Sequence, residues 1–411
     1  MGKDVSQGNI AAMVEQVMKS AAYQEALRHL AANHERFVEE TIKLTEIPAP
    51  FFQEEERGKA YLEMLREAGL EDCEMDAEGN VMGLRRGLGN GQLIVLAAHL
   101  DTVFPPGTDL KVRREGTRLY APGIGDDTRS LAMNLAFLRA MDAAGIKTRH
   151  DILFLGNVGE EGLGDLRGVR FLFTKGRYAG RIAAFISVEG PMGMGTIVSG
   201  ATGSLRYRLT FRGPGGHSFM DFGIVSPSFA LAETMAGLSR IEVPKEPRTT
   251  FSASVIGGGT SVNSIPNEVW LEVDLRSDSA QELQRIDHAF KDVVQRAVDA
   301  ENAARSTAKG VVTVEWKKIG DRPAGAIDRN SDLVANAAAA AKALGFTPKA
   351  VASSTDASIP ISLGIPGIAI SAGAGAGAHT LDEWVDVEPK QTLHDMQLAF
   401  ATLLKTAGME V

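Results

Sequence analysis

The chain has 411 residues, 44% hydrophobic and 23% charged, with a net charge of −9; this is long for one hydrophobic core and suits two domains. The acidic balance argues against a nucleic-acid or anionic-membrane surface. The single cysteine, Cys73, rules out an internal disulfide framework and fits a reducing cytoplasm. The absence of an 18-residue apolar run argues against a membrane span. The first residues lack the basic-then-apolar plan of a secretion signal, so a cytoplasmic location is expected. Met1-Gly2 with Ser6 matches the short N-myristoylation pattern, which is too loose to carry weight.

Residues 8–45 read as helical, and Pro48 and Pro50 end that region. Residues 53–70 form an amphipathic helix pattern with Gly69 near its stop. The run QLIVLAAHLDTV (92–103) predicts a strand buried on both faces. A helix over 130–145 follows, then two more buried strands, DILFLGNV and RIAAFISVEG (181–190). Strands alternating with helices predict a mainly parallel sheet covered on both sides. The pattern then changes. GSLRYRLTFRG (203–213) alternates, as a half-exposed antiparallel strand does. A helix near 226–239, the strands TTFSASVIGG and EVWLEVDLRS, a long helix at 280–304 and the strand GVVTVEWKKIG complete a β-α-β-β-α-β order. That order describes a ferredoxin-like α+β module. The expected division is an α/β domain made of residues 1–201 and 322–411, with residues 202–321 inserted.

In parallel α/β sheets, ligand sites gather beyond the carboxyl ends of the strands. His99 and Asp101 stand at the end of the first buried strand, two apart and so on one face. A carboxylate there suits the role of holding the tautomer of a metal-bound histidine. Asp126-Asp127 sit on a glycine-rich turn before a helix, where Asp127 or Thr128 also suits a capping role. Glu160-Glu161 follow the next strand and Glu189 the one after, while His379 follows the glycine-rich SAGAGAGA. Two histidines with several carboxylates match a site for two borderline divalent ions, zinc first, with cobalt or manganese as alternatives. A carboxylate outside the ligand set would then serve as proton acceptor for an activated water.

The ordered set His99-x-Asp101, Gly125-Asp126-Asp127, Glu160-Glu161, Glu189 and His379 resembles the M20 family of metallopeptidases. That family contains glutamate carboxypeptidases, aminoacylases, dipeptidases, tripeptidases and succinyl-diaminopimelate desuccinylases. The likeness runs from about residue 40 to residue 405. It implies a zinc-exopeptidase type of fold with an inserted lid and dimerisation domain, hence a homodimer. It implies that Asp126 bridges two metals, with His99 and Glu189 completing one site and Glu161 and His379 the other. By the same resemblance Asp101 orients His99, Glu160 is the general base and later proton donor, and the Asp126-Asp127 peptide is cis. GPGGHSFM (213–220) is similar to the family element whose histidine, here His217, polarises the oxyanion and reaches the partner subunit's site. The Asn-x-Ile-Pro and Asp-x-Arg patterns make Asn263 and Arg276 candidates for binding a substrate carboxylate, a task suited to an arginine fork. SSTDASIP (353–360) adds Thr355 and Asp356 as pocket-lining candidates. Relatives often carry lysine where Thr128 stands.

The position of Glu189 tends to be glutamate in the family's carboxypeptidases and deacylases and aspartate in its aminopeptidases and dipeptidases. The expected substrate is therefore a small peptide or N-acyl amino acid with a free carboxylate beside the scissile amide. The alternatives are a di- or tripeptidase needing a free amino terminus and a non-catalytic metal-binding scaffold. A nucleotide-binding function is disfavoured, because neither GNGQ nor GAGAGAH has the strand–loop–helix spacing of a phosphate loop.

Overall fold

The computed structural model describes residues 2–89 and 92–411, with side chains described from residue 9 onward; the Met1-Gly2 pattern with Ser6 lies outside the described side chains. Two compact units emerge, Met1–Ala201 with Ala326–Val411, and Thr202–Gly325.

The first unit is α/β, built on a mixed, mainly parallel sheet. Seven of its nine strands run in the order Glu71–Met75, Val81–Arg85, Asp151–Asn157, Leu93–His99, Ile182–Glu189, Gly367–Ser371 and Thr196–Ala201, and Lys349–Ser353 pairs parallel with the last of these. Leu93–His99 is parallel to both neighbours, and Gly367–Ser371 is parallel to Ile182–Glu189. Every residue of Leu93–His99 and Asp151–Asn157 is buried, which is why both read as continuous apolar runs. Successive side chains still divide between two faces. Ile94, Leu96 and Ala98 join a cluster with Leu131, Leu135 and Phe400, from the helices Arg129–Ala143 and Pro389–Thr406. Leu93, Val95 and Ala97 join a second with Val169 and Leu172 of the helix Arg167–Thr174. That division is the period of two of a strand between layers. Each fully buried Leu, Ile, Val or Phe side chain among these contributes about 1.5–3 kcal/mol.

The sheet departs from parallel at its margins. Val81–Arg85 runs antiparallel to Asp151–Asn157, and Thr196–Ala201 antiparallel to Gly367–Ser371. Thr196–Ala201 (TIVSGA) is short and partly polar, so its sequence carries little strand signal. The N-terminal helical stretch is three helices, Gly2–Lys19, Ala21–Ala32 and His34–Thr45, separated at Ser20 and Asn33. Ser20 starts the second by accepting the N–H of Tyr23. Register fixes the functional edge: His99 pairs with Asn157 and Glu189 with Ser371 at the carboxyl ends of their strands.

The second unit is a four-stranded antiparallel sheet ordered Thr249–Gly258, Glu268–Ser277, Gly203–Arg212, Thr313–Arg322. Tyr207, Leu209 and Phe211 pack in one cluster with Leu231 of the helix Pro227–Leu238 and Phe290 of Ala280–Ala304. The last strand continues to Arg322, which pairs with Ser204, so this unit extends past residue 321 to Gly325.

Candidate metal centre

His99 and Asp101 are wholly buried at the end of the central strand. The His99 ring lies with Nδ1 3.0 Å from the main-chain carbonyl of Asp101, while the Asp101 carboxylate Oδ1 is 3.6 Å away. The main-chain carbonyl, not the carboxylate, is thus the closer acceptor for the ring N–H. A neutral ring that donates from Nδ1 presents Nε2 as a lone pair. Nε2 faces Asp126 Oδ1 at 2.9 Å. The Asp101 carboxylate instead accepts the main-chain N–H of Glu160 at 3.0 Å and of Glu161 at 2.8 Å. It thereby anchors the turn on which both glutamates stand.

Glu160 and Glu161 are both buried. The Nε2 of His379, whose side chain is about half exposed, lies 2.9 Å from Glu161 Oε1 and 3.3 Å from Asp126 Oδ2. Asp126 therefore presents one oxygen to each histidine. The peptide joining Asp126 to Asp127 is cis, and His379 takes a positive φ of 66°. Glu189 accepts the Ser187 hydroxyl at 2.8 Å. Asp127 Oδ2 accepts the main-chain N–H of His99 at 3.0 Å, and its Oδ1 is buried with no hydrogen-bond partner among the described residues.

The charges at this edge are poorly balanced. Burial pushes Asp127 well above the carboxylate range, with the charge of Asp126 adding to it. Burial does the same to Glu189, reinforced by Glu160 and Asp127. Burial alone would lower His99, but its contacts with Asp101 and Asp126 and the charge of Asp127 outweigh that and raise it strongly. Asp126 and Glu161 raise His379 to about 10. Carboxylates pushed up by burial and by one another's charge, beside histidines raised by those carboxylates, form an environment that divalent cations relieve. Two overlapping groups, His99, Asp126, Glu161 and His99, Asp127, Glu189, each offer ligand atoms within 4.8 Å of one another. The mixed imidazole and carboxylate donors suit borderline divalent ions.

The remaining candidates lie as follows. Asp356 is fully buried, with Asn157 Nδ2 donating to its Oδ2 at 2.6 Å, and its charge helps to raise Glu189. Thr355 beside it is also buried. Asp356 is thus tied to the carboxyl end of the strand Asp151–Asn157. Thr128 is wholly buried, its hydroxyl bonded to the carbonyls of Gly123 and Ile124 and 2.6 Å from the Thr45 hydroxyl. In the second unit, the exposed His217 pairs with Ser264 in a two-stranded ribbon, and the N–H of Ser218 donates to the carbonyl of Asn263 at 3.0 Å. His217 Nδ1 accepts the N–H groups of Phe219 and Met220, so its neutral ring carries the proton on Nε2. The Asn263 side chain accepts the Ser261 hydroxyl. Arg276 stands apart from that ribbon, in the four-stranded sheet; its Nε donates to Asp274 Oδ2 at 2.7 Å and its side chain is 41% exposed.

The sequence pattern carries no metal-related signal for Asp127 and does not single out Asn157 or Glu383. Glu383 is wholly buried and accepts the main-chain N–H groups of Gly123, Gly125 and Asp126 at 2.7–2.9 Å. Its position four residues after His379 was the available signal.

The sequence profile of Peptidase family M20/M25/M40 matches residues 95–406. A succinyl-diaminopimelate desuccinylase of Corynebacterium glutamicum is 24% identical over 360 residues, which are 85% of this chain and 91% of that one. Among other curated relatives, the chain spans 44% of the length of one from Pyrococcus abyssi and 62% of a desuccinylase from Leptothrix cholodnii. The aminopeptidase PepT of Bacillus cereus superposes with a TM-score of 0.73 at 22% identity, covering 91% of this chain and 99% of that one. The YXEP protein of Bacillus subtilis, a dinuclear metal-binding peptidase of the M20 family, superposes with a TM-score of 0.64 at 17% identity, covering 91% and 98%.

Proposed function

The chain belongs to peptidase family M20/M25/M40, and from that premise we propose that it is a two-metal amidohydrolase cleaving an amide beside a free carboxylate. The observation that carries the two-metal reading is the division of Asp126, Oδ1 toward His99 and Oδ2 toward His379. His99, Asp126 and Glu189 would hold one ion, and Asp126, Glu161 and His379 the other, with Asp127 also within reach of His99 and Glu189. Bound ions would polarise the scissile carbonyl and activate a water. Zinc suits the donor set best.

Glu160 is outside both ligand sets and next to one of them, so it takes the water's proton and returns it to the leaving nitrogen. Asp101 holds the Glu160-Glu161 main chain, keeping the two side chains in their separate roles. His217, donating from Nε2, stabilises the developing oxyanion. Arg276, aimed by Asp274, binds the substrate carboxylate, and Asn263, which stands apart from it beside His217, is the second candidate for that task. Thr355 and Asp356 line the substrate pocket, Asp356 being tied to the strand end through Asn157. Glu189, rather than aspartate, favours an N-acyl amino acid or a carboxypeptidase substrate. A homodimer formed through the inserted unit and a cytoplasmic location belong to the same proposal; no described helix is long and apolar enough to cross a membrane.

The second reading, an aminopeptidase acting on di- or tripeptides, is favoured by the fold likeness to PepT. A panel of N-acyl amino acids, N-blocked dipeptides and free di- and tripeptides, assayed with metal-quantified protein, separates the two. Cleavage confined to free amino termini would replace the first reading with the second. Inactivity toward every amide at full metal occupancy would remove both.

A further inference from the structure

The loops carrying Asp126 and His379 are far apart in sequence, yet each is held by a residue that belongs to the other. Glu383, four residues after His379, accepts the N–H groups of Gly123, Gly125 and Asp126. Arg129, three residues after Asp126, donates from Nη1 to the carbonyl of Ala374 at 2.8 Å, in the loop leading to His379. Asp395 accepts the N–H of the same Ala374, so both main-chain polar groups of that residue are held. Glu383 and Arg129 are 0% and 1% exposed.

The packing leaves no slack around these contacts. A methyl on Gly125 would stand 3.1 Å from Glu383 Oε1, and one on Gly373 would stand 2.4 Å from Arg129 Nη2. Strand pairing supports the same arrangement. Trp384–Asp386 lies between Arg118–Tyr120 and Gly375–Ala376, joining the approaches to both loops. A buried carboxylate that accepts three main-chain N–H groups of one turn is expensive to desolvate, so its contribution must lie in the geometry it imposes.

We propose that Glu383 and Arg129 form a reciprocal clamp that fixes Asp126 against His379 and so sets the affinity of the ion held by Asp126, Glu161 and His379. This rests on the two-metal reading above. Both are positioning residues, acting through the main chain of the loops that present the ligands. Outer partners of metal ligands commonly change affinity by about 10–100-fold.

The test is zinc affinity and stoichiometry of the full chain, measured by competition with a chromogenic chelator, for wild type, Glu383→Gln and Arg129→Lys. Visible spectra of the cobalt-loaded forms accompany it. Glu383→Gln keeps the size of the side chain but puts an amide NH2, which cannot accept, against at least one of the three N–H groups. One of the two zinc equivalents should weaken by about 10–100-fold, and the cobalt absorption bands should shift. Arg129→Lys should weaken the same equivalent, and it carries the test if Glu383→Gln does not fold. Leu172→Ala, in the opposite core cluster, is the stability control and should leave both equivalents within about twofold of wild type, inside the spread that a single outer contact exceeds. Wild-type affinity, stoichiometry and cobalt spectrum in both clamp variants would overturn the clamp alone. Absence of zinc binding by the wild-type chain would overturn the metallohydrolase reading.

Discussion

The Asp101 carboxylate accepts the main-chain N–H of Glu161 at 2.8 Å and, with its other oxygen, that of Glu160 at 3.0 Å. One buried side chain thus fixes the turn on which a ligand and a base stand side by side. Asp101→Asn replaces one accepting oxygen with an NH2 that meets an N–H. Loss of a charged, buried hydrogen bond costs about 1.5–3 kcal/mol, so kcat/KM should fall by about 10–100-fold. If Asp101 matters only through the His99 ring, zinc affinity would fall while the kcat of the fully loaded variant stayed at the wild-type value; a lower kcat at full loading is the outcome expected here.

Glu160→Gln removes the proton acceptor and keeps the shape. Turnover should drop by about 10²–10⁴-fold, the usual worth of general acid–base catalysis, while zinc stoichiometry stays at the wild-type value. Metal analysis beside single-turnover kinetics checks both halves. A variant that loses zinc in parallel with activity would make Glu160 a ligand.

Much of this site was legible because apolar strands end abruptly at charged residues. His99, Glu160-Glu161 and Glu189 each follow a run that is wholly or almost wholly buried, so their positions at the sheet's carboxyl edge followed from strand direction. The second unit was legible for a different reason, the period-two alternation of its half-exposed strands, as in Glu268–Ser277. What stayed hidden depends on contacts no local pattern encodes. Glu383 meets its partners 257–260 residues earlier in the chain, and Asn157 meets Asp356 199 residues later. A polar residue in a loop looks the same whether solvated or clamped. The antiparallel strand Thr196–Ala201 was hidden by its composition, and the carbonyl that orients His99 belongs to the main chain, which carries no sequence signal.

Removing metal should destabilise the fold as well as abolish activity. Asp126, Asp127, Glu161 and Glu189 would face one another without the ions' charge, and a ligand present at 100–1,000 times its Kd stabilises by about 2.7–4.1 kcal/mol. Exhaustive chelation should therefore lower the melting temperature by several degrees, restored by zinc. An unchanged melting curve after verified metal loss would show that the native centre contributes nothing to stability.

Thr128 occupies a place where relatives often carry lysine, and its neighbours exclude one here. It is fully buried and its hydroxyl meets Gly123, Ile124 and Thr45. Thr128→Lys should cost more than about 3 kcal/mol, because the ammonium has no partner at that depth. Thr128→Val should cost about 0.5–1.5 kcal/mol through the lost hydroxyl hydrogen bonds, since the carbonyls of Gly123 and Ile124 keep main-chain donors. Denaturant unfolding of both variants tests the order; a lysine variant as stable as wild type would mean the loop opens to admit it.

His34 gives a pH dependence away from the metal centre. It is buried, and burial lowers it from its ordinary value of 6.5 despite the opposing charge of Glu35. The folded protein therefore favours the neutral ring, while the unfolded chain takes up a proton near pH 6.5. Unfolding binds protons, so the stability from His34 is fully present above the unfolded value and is lost as pH falls through the lower folded value. Melting temperatures recorded between pH 7.5 and pH 5 should fall for wild type, and His34→Phe should flatten part of that slope. A slope unchanged by the substitution would assign the acid sensitivity to other groups.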